Sequence, residues 1–386
     1  MNSLIGRLTQ LMPLMTLLAA PTPSFAASGR CQATDTQLLA AIRSVHERQR
    51  NVGVQAAIHV DGRLVFSKTL GLADRDRKLP VTRSTIFPVA SVTKAFTGVA
   101  TLKAHAAGKI DLDVPIQNYV SEFPVKPELV ITPRRLAAHR AGIRHWGPER
   151  EALFARHFER LHQILPSFKD DPLRAKAGAE YQYSSYGYNL LGLAVERAMQ
   201  LSFADYVRQQ ILLPLGLRRT RFDDARNPTA MAKLYSFYDL KTFADLPNAI
   251  PVPTMNYSHN MGGGNMSTTA EELVKFGAAL LRPGFLPRAQ HDLLFSQPTF
   301  GGEASSMTFG FFAQKAGAER RLSISGSNQG FQAGLMIYPD RGLTVAVLSN
   351  TWGVGSRSGD MVSALPSQLA DLCAPIPSKA IVGRRA

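Results

Sequence analysis

The spacing of hydrophobic positions divides the chain into three stretches. Near the N-terminus apolar residues recur at helical spacing, namely Leu38, Leu39, Ile42 and Val45. Thr36 precedes them as a candidate N-cap. The segments VGVQAAIHV and RLVFSKTLG that follow favour two strands, because Asp61-Gly62 between them is typical of a two-residue hairpin turn. This first stretch therefore predicts a helix followed by a β-hairpin.

Helical periodicity dominates from about 90 to 300, and the two-residue period returns from about 307. The clearest helical segments are VTKAFTGVATLKAHAAG, YGYNLLGLAVERAMQ, FADYVRQQIL and TAEELVKFGAALL. A capping box is expected at the start of the last one, since Glu271 follows Thr268 by three residues. Near the C-terminus, TFGFFAQKA, RRLSISG, FQAGLMIY and LTVAVLSN predict successive strands, and MVSALPSQLADL predicts a short helix.

Strands and a helix at both chain ends, with helices between them, predict an α+β fold. The simplest assembly is one antiparallel sheet from both ends, flanked by the terminal helices, with a mostly helical insertion beside it. We expect one domain over residues 27–375, with its sheet part at about 36–75 and 305–375 and its helical part at about 76–304. Residues 376–386 would form a tail. The default site lies between the two parts.

Composition narrows the function classes. Of the 386 residues, 45% are apolar and 19% are charged, which excludes a disordered chain, a collagen-like chain and a disulfide-dense mini-protein. Lys and Arg number 44 against 29 acidic residues, a net charge of +15. This balance favours attraction to an anionic partner, or else an Arg-rich solvated surface without a partner.

The first 26 residues are predicted to be a secretory signal peptide. Arg7 precedes the apolar stretch LTQLMPLMTLLAA, and Ser24 and Ala26 occupy the −3 and −1 positions of a cut before Ala27. The stretch is too short for a membrane span, and the same holds for every other window. We therefore expect an exported, periplasmic or secreted protein with no transmembrane span and no nucleic-acid partner. A lipid anchor at Cys31 fits poorly, because Arg30 precedes that residue.

The chain contains two cysteines, Cys31 and Cys373. Without a CxxC pair or a Cys/His cluster, neither a zinc site nor an iron–sulfur site is expected, and no other metal or cofactor is predicted. Export favours an oxidising compartment, so the two cysteines are candidates for a disulfide that joins the chain ends.

Ser91-Val92-Thr93-Lys94 is the first candidate for chemistry. It opens a helical pattern, so Lys94 lies one turn from the Ser91 hydroxyl. Serine needs a neighbouring base to act as a nucleophile, and burial lowers the pKa of a lysine enough to supply one. A chain with 27 serines and 13 lysines contains about one such pair by chance, so the spacing alone is uninformative.

Six collinear segments decide the interpretation. They are FPVASVTKAFTGVATLKAHAAGKIDLDVPI, ITPRRLAAHRAGI, YQYSSYGYNLLGLAVE, LLPLGLRRT, MGGGNMSTTAEELVKF and GFQAGLMIYPDRGLTVAVLSN. Together they resemble the serine β-lactamase-related family of class C β-lactamases, D-alanyl-D-alanine carboxypeptidases and related esterases, over residues from about 38 to 350. HRAGIRHW and DVPIQNYVSEFP are most similar to its mitochondrial β-lactamase-like branch. The resemblance implies the β-lactamase/transpeptidase-like fold and a serine nucleophile assisted by lysine.

The resemblance also implies roles for individual residues. Ser91 and Lys94 match the nucleophile and its lysine, and Tyr183 matches the tyrosine of the family's Tyr-x-Asn element. Tyr181, Tyr186 and Tyr188 are the alternatives to Tyr183. The family's Lys/His-Thr/Ser-Gly element falls on Ile324, Ser325 and Gly326. Backbone N–H groups of Ser91 and Ser327 would form the oxyanion hole.

Two positions depart from the family pattern. Ser185 stands where Asn is usual and retains one hydroxyl for substrate binding beside Ser325 and Gly326. Ile324 stands where a Lys or His would attract a substrate carboxylate, and Arg320 and Arg321 are the nearest candidates to replace it. We therefore expect inefficient β-lactamase activity. Gly262-Gly263-Gly264 is expected to permit tight backbone packing.

Two functions follow from these observations. The first is an exported serine hydrolase that forms an acyl-enzyme on a D-alanyl peptide, a β-lactam or an ester. Its partner would be a small-molecule or peptide substrate, with peptidoglycan-derived peptides among the candidates. The alternative is a catalytically degenerate envelope module on the same fold, which binds such fragments or self-assembles. The residues do not identify the substrate within the first class, nor the oligomeric state.

Overall fold

An eight-stranded sheet built from both ends of the chain forms the centre of the fold. The computed structural model describes residues 31–174, 178–223, 231–242, 244–253, 255–316, 319–353 and 360–373. Across the sheet the strands are β11 (Met307–Thr308), β12 (Phe311–Ala316), β13 (Glu319–Asn328), β14 (Phe331–Tyr338), β15 (Leu343–Ser349), β1 (Gly53–Val60), β2 (Arg63–Asp74) and β3 (Leu79–Pro80). Neighbouring strands are antiparallel, and Ala57 of β1 lies opposite Ala346 of β15. The predicted α+β class and the shared sheet are confirmed.

The predicted N-terminal hairpin is also confirmed. Asp61 and Gly62 connect β1 to β2 with φ angles of 48° and 75°. Two consecutive positive φ angles define a type I′ turn, whose twist matches that of the flanking strands. The four strands predicted near the C-terminus correspond to β12, β13, β14 and β15, so the two-residue alternation located the sheet correctly.

Ten α-helical segments occur among the described residues. They are α1 (Asp35–Arg48), α2 (Thr93–Ala106), α3 (Pro133–Ala137), α4 (Arg150–Ala155), α5 (Ser185–Met199), α6 (Phe203–Val207), α7 (Leu213–Leu215), α8 (Ala270–Leu280), α9 (Arg288–Phe295) and α10 (Leu365–Leu372). The four segments with the clearest helical periodicity form α2, α5, α8 and, for FADYVRQQIL, α6 with the π-helical turn Arg208–Leu212.

Both predicted helix caps are wrong by one or two residues. The N-cap of α1 is Thr34 instead of Thr36, and it forms a capping box with Gln37. The N-cap of α8 is Thr269, whose side chain accepts the Glu272 N–H, because strand β8 (Met266–Thr268) continues through Thr268. Strand pairing therefore decides where α8 begins.

The sheet has an apolar core on each face. One face packs against α1 and α10 through residues such as Leu38, Val345 and Leu369. The other packs against the helical part, in which α2 and α8 are joined by stacking of Phe96 on Phe276 with ring centroids 4.0 Å apart. The described residues from 31 to 373 belong to one compact unit.

The helical part contains more strand than its periodicity indicates. One small sheet joins β4 (Phe87–Pro88), β8 and β5 (Arg221–Phe222), and a second joins β16 (Thr351–Trp352), β6 (Leu234–Tyr238) and β7 (Asp245–Val252). A short hairpin pairs β9 (Thr299–Phe300) with β10 (Glu303–Ala304). Several of these pairings join residues far apart in sequence, so a local window does not reveal them.

The predicted signal peptide over residues 1–26 and the tail over 376–386 lie outside the described residues, as do the expected domain limits at 27 and 375. Within the described ranges, no helix is long and apolar enough to cross a membrane.

The first and last described segments meet at one point. Cys31 is joined to Cys373 by a disulfide with Cα atoms 4.2 Å apart, across a sequence separation of 342 residues. The Ala33 N–H donates to the Leu372 carbonyl at 3.2 Å beside it. The sulfurs lie against the core formed by α1, α10 and the sheet, so the bond holds both terminal helices on this face.

We expect mass spectrometry of the protein, purified without reducing agent, to show a peptide in which Cys31 is linked to Cys373. Cross-linking chain ends this far apart restricts the unfolded state, so reduction or the Cys31→Ala/Cys373→Ala pair should lower the free energy of unfolding by about 2–4 kcal/mol. Denaturation measurements check this, with reduction of the double variant as the control. Two free thiols in the exported protein would contradict the pairing.

Candidate active site

A strained turn presents Ser91 at the start of α2. Ala90 has a φ of 42°, a left-handed conformation that disfavours residues with a side chain, and the 3₁₀ turn Ala90–Val92 runs directly into α2. The preceding chain is held by β4, which pairs with β8, and by the Val89 N–H donating to the Met266 carbonyl at 2.9 Å. These contacts fix the turn, and the Ser91 side chain is left partly accessible.

Lys94 lies one helical turn after Ser91 and is completely buried. Its Nζ donates to the Gly263 carbonyl at 2.6 Å and lies within hydrogen-bonding distance of two hydroxyl groups, Ser91 Oγ at 3.2 Å and Ser185 Oγ at 3.1 Å. Among the described residues, no carboxylate contacts it. Burial therefore lowers the pKa of Lys94, although the Tyr183 hydroxyl opposes the shift. A lysine in this environment is suited to act as a proton acceptor.

Tyr183 completes the contacts of the serine. Its hydroxyl donates to Ser91 Oγ at 2.6 Å, and Lys94 Nζ lies 4.8 Å from the centre of its ring. The ring packs against His139, with centroids 4.5 Å apart, and His139 Nδ1 accepts the Ser184 N–H at 3.1 Å. Ser184 is also the N-cap of α5, so the start of this helix and the buried His139 together position the tyrosine.

The alternative tyrosines have other partners. The Tyr186 hydroxyl donates to Glu149 at 2.6 Å, and the Tyr188 hydroxyl donates to the Ala137 carbonyl at 2.7 Å. Tyr181 is 40% exposed and packs on the edge of His139. The structure therefore brings Tyr183, among these four tyrosines, into hydrogen bonding with Ser91.

Ser185, which stands where the family pattern has Asn, contacts the buried lysine. Its hydroxyl contacts Lys94 Nζ, as described above, and its N–H donates to His145 Nδ1 at 3.1 Å. That bond leaves Nε2 of the neutral imidazole as the nitrogen that carries the proton. Burial first, then the positive charges of Lys94 and Arg150, lower the pKa of His145 to about 4. The imidazole beside Lys94 is therefore neutral at physiological pH.

Strand β13 passes directly against the Ser91 turn at Gly326. A Cβ atom at this position would lie 2.1 Å from the Val89 carbonyl oxygen and 2.6 Å from the Ser91 nitrogen, so only glycine allows the approach. The neighbouring strand β12 pairs with β13 only from Glu319 to Ser323. The residues of β13 after Ser323 are therefore not paired with β12, and this free edge borders the site. Ser325 and Ser327 are exposed there at alternate positions.

Ile324 places an apolar side chain where the family pattern has a cation. It is 3% exposed and belongs to the core between the sheet and the helical part. The proposed replacements do not point to the site: Arg320 pairs with Asp340 at 2.6 Å, and Arg321 bonds Gln314. Both candidates are therefore held by other partners, and neither replaces the cation missing at position 324.

Sequence reasoning missed two groups of the site. The Gly263 carbonyl contacts Lys94 because Gly262-Gly263-Gly264 packs tightly on α5. A Cβ on Gly262 would lie 2.4 Å from the backbone carbonyl oxygen of Tyr188. The sequence predicted close packing of these glycines but did not indicate the element on which they pack. His145 meets Ser185 across 40 residues of sequence, and no local pattern marks this contact. Among the described residues, no group of three or more His, Cys, Asp and Glu could hold a metal ion.

Comparison with known proteins places this geometry among β-lactamase relatives. A family model described as Beta-lactamase matches residues 38–364. The human mitochondrial serine beta-lactamase-like protein LACTB is 30% identical over 296 residues, which are 59% of this chain and 53% of that protein. The chain thus spans about half the length of the curated relatives that it matches most strongly.

Two solved structures share the fold. An octameric penicillin-binding protein homologue from Pyrococcus abyssi has a TM-score of 0.74 at 22% identity and covers 89% of this chain and 78% of its own. The D-amino acid amidase from Ochrobactrum anthropi, complexed with L-phenylalanine amide, has a TM-score of 0.72 at 20% identity and covers 87% and 97%. At these identities the similarity supports the fold alone.

The approach of Gly326 to Ser91 generates a prediction. Gly326→Ala would push β13 away from the Ser91 turn, and we expect about a hundredfold loss of esterase kcat/KM, because small displacements in a catalytic site are costly. We expect the free energy of unfolding to fall by about 1–3 kcal/mol. Ester hydrolysis and chemical denaturation measure the two effects.

Gly301→Ala is the matched control. Unlike Gly326, Gly301 has a positive φ of 58° and nothing lies within 4 Å of a Cβ added there, so this variant introduces backbone strain away from the site without a steric clash. It should lose stability and keep its activity. Full activity in Gly326→Ala would show that the close approach has no catalytic role.

Proposed function

The chain belongs to the beta-lactamase family of serine hydrolases, and we propose that it is an exported hydrolase that forms an acyl-enzyme on Ser91. One observation carries this proposal: Ser91 Oγ lies in hydrogen-bonding contact with both Lys94 Nζ and the Tyr183 hydroxyl. A serine becomes nucleophilic when a neighbouring group can accept its proton. Here the accepting group is a buried lysine whose pKa is lowered.

The contacts support a two-step acyl transfer. Deprotonated Lys94 accepts the Ser91 proton as Oγ bonds to the substrate carbonyl carbon, and the Ser91 and Ser327 N–H groups stabilise the oxyanion. When the intermediate collapses, the bond to the leaving nitrogen or oxygen breaks. The proton then passes from Lys94 through Tyr183 to that atom. In the second step a water molecule near Tyr183 gives up a proton to the Lys94–Tyr183 pair and its oxygen bonds to the acyl carbon. The bond between that carbon and Ser91 Oγ then breaks, Oγ takes the proton back, and the acid is released.

The substrate class that we propose is a D-alanyl peptide, a β-lactam or an ester. In support, a structural neighbour is named a penicillin-binding protein homologue, another a D-amino acid amidase, and a third a hydrolase with promiscuous acyltransferase activity. All of these reactions begin with attack on a carbonyl carbon, which suits the same arrangement of Ser91, Lys94 and Tyr183. Ser185, Ser325 and Gly326 would bind the substrate backbone.

Export to the cell envelope is part of the proposal. The composition of residues 1–26 supports it, and so does the bond between Cys31 and Cys373, which persists in an oxidising compartment. The curated relatives include a mitochondrial protein and a Bacillus subtilis penicillin-binding protein.

The apolar Ile324 favours a second candidate function. Because position 324 carries no cation, this candidate is a catalytically degenerate protein that binds peptidoglycan fragments or self-assembles. The burial of Lys94 weighs against this candidate. Burying a lysine without a carboxylate partner lowers the free energy of unfolding, and a protein that only binds ligands gains nothing from it.

We expect a fluorophosphonate or a fluorescent penicillin to label the protein at Ser91. Ser91→Ala should abolish the labelling, and Lys94→Ala should slow ester hydrolysis by about 100- to 10,000-fold because the proton acceptor is removed. Ser44→Ala, on the exposed face of α1, is the matched control and should label like the wild type. Equal labelling of Ser91→Ala would exclude Ser91 as the nucleophile, and the absence of any turnover would favour the degenerate module.

The pH dependence of hydrolysis provides a separate test. Because burial disfavours the charged form of Lys94, its pKa lies below the ordinary value of 10.5, and activity requires the deprotonated amine. We expect kcat/KM to rise with pH through an acidic limb whose midpoint lies below that value. Rate measurements on an activated ester from about pH 5 to about pH 10 check this. A rate that does not change with pH would contradict a role for Lys94 as the base.

A further inference from the structure

We propose that His145 binds the substrate by donating a hydrogen bond from its Nε2–H to a carbonyl oxygen in the acyl group, beside the carbonyl that Ser91 attacks. The enzyme then favours acyl groups that contain a second carbonyl over plain alkyl chains. This inference rests on the proposed function, because it assigns a substrate-binding residue to the same site. His145 stands 40 residues before Ser185 and is not among the site residues that the sequence motifs predict.

The contacts of His145 fix which ring nitrogen carries the proton. Nδ1 accepts the Ser185 N–H at 3.1 Å, so Nε2 is the donor of the neutral ring. Burial lowers the pKa of His145 to about 4, and the positive charges of Lys94 and Arg150 act in the same direction. At physiological pH the side chain therefore presents one uncharged N–H donor.

The Nε2 donor is open to a ligand. It has no hydrogen-bond partner among the described residues, and the imidazole is only partly buried. His139 provides the contrast, because its Nδ1 also accepts a backbone N–H, from Ser184, but its Nε2 is enclosed without a partner. Nε2 of His145 is not enclosed in this way. The donor therefore reaches space that a substrate can occupy.

His145 borders the groups that contact the reacting serine. Its ring packs at a steep angle against the Tyr183 ring, with centroids 5.3 Å apart, and it lies close enough to Lys94 for that charge to lower its pKa. Tyr183 and Lys94 both contact Ser91 Oγ. The accessible Nε2 therefore lies at the edge of the space in front of Ser91.

The segment that carries His145 is held on both sides. The side chain of Arg144 pairs with Asp171 at 2.7 Å, and the ring of Trp146 packs on Tyr186 with centroids 4.2 Å apart. Anchoring of both neighbours and the bond at Nδ1 restrict the imidazole before a ligand arrives. Such a donor loses little conformational entropy on binding, which favours a role in substrate recognition.

The acyl group is the part of the substrate that lies beside His145. In the proposed mechanism the proton passes through the Tyr183 hydroxyl to the leaving atom, so the leaving group lies at that hydroxyl. His145 contacts the ring of Tyr183 and the Ser185 N–H instead. The other branch of the reacting carbonyl, which is the acyl chain, is therefore the branch that Nε2 meets.

An uncharged oxygen acceptor matches this donor. A neutral imidazole N–H forms an ordinary hydrogen bond with an amide, ester or ketone carbonyl. An alkyl chain in the same place would displace water and leave the N–H without a partner, which weakens binding. The inferred acyl class therefore carries a carbonyl a few bonds from the one that reacts.

Two esters that differ by a single carbonyl oxygen test this inference. Nitrophenyl levulinate carries a ketone in its acyl chain, and nitrophenyl pentanoate has the same carbon chain without that ketone. The measured quantity is the ratio of kcat/KM for the levulinate to kcat/KM for the pentanoate. A general loss of activity affects both esters and cancels in this ratio, whereas loss of a contact to the ketone does not.

His145→Asn should lower the ratio by about 5- to 30-fold. The asparagine oxygen can still accept the Ser185 N–H, but its amide does not extend to the position of Nε2. His145→Gln, whose longer amide does, should restore part of the ratio. His105→Asn is the matched control and should leave the ratio unchanged, because His105 is also partly buried and bonds the Ile110 carbonyl through Nδ1 at 2.7 Å, but at the far end of α2.

A ratio that stays the same in His145→Asn would overturn the inference, and so would a ratio that falls equally in His145→Asn and His145→Gln. Hydrolysis of the pentanoate that is lost in Ser91→Ala would leave the proposed function intact in both cases. Absence of Ser91-dependent hydrolysis of either ester would instead overturn the proposed function, and the inference with it.

Discussion

The burial of Lys94 without a counter-ion is the constraint on which the rest of the site depends. Lys94 is completely buried and contacts two hydroxyls and one carbonyl, and no described carboxylate compensates its charge. Such an environment favours the neutral amine, which is the form that can accept a proton from Ser91. The neighbouring imidazole of His145 is held neutral by the same burial. Desolvation thus shifts Lys94 towards the neutral amine, the form in which a lysine can act as a base.

The sheet holds the parts of the site together, because it joins segments that lie far apart along the chain. Strand β1 from the first part of the chain pairs with β15 from the last part, and β13 from the C-terminal part borders Ser91 in the turn that precedes α2. Gly326 permits that approach. The disulfide between Cys31 and Cys373 fastens the terminal helices to the opposite face. Fold stability and site geometry are therefore coupled through the same sheet.

Hydrophobic periodicity predicted most of the fold, since strands and long helices bury one face with a regular spacing. It missed β6, which pairs with the distant β16 as well as with its neighbour β7, and it missed β7, which is mostly exposed and shows no two-residue alternation. It also misplaced the start of α8, which pairing of β8 determines. Within the site, helical periodicity alone predicted that Lys94 lies one turn from Ser91. The contact of Tyr183 with Ser91 came from resemblance to a family, because 92 residues separate the two.

The sequence by itself determined the class of chemistry, the order of the elements and the absence of a cation at position 324, because each depends on residue identity and local spacing. Only the tertiary structure decided which polar groups surround Lys94 and that Arg320 and Arg321 are held by other partners. The physical reason is that the pKa of an ionisable group and the energy of its interactions depend on its solvation and on its neighbours. Both are properties of the folded surroundings, and no residue carries them alone.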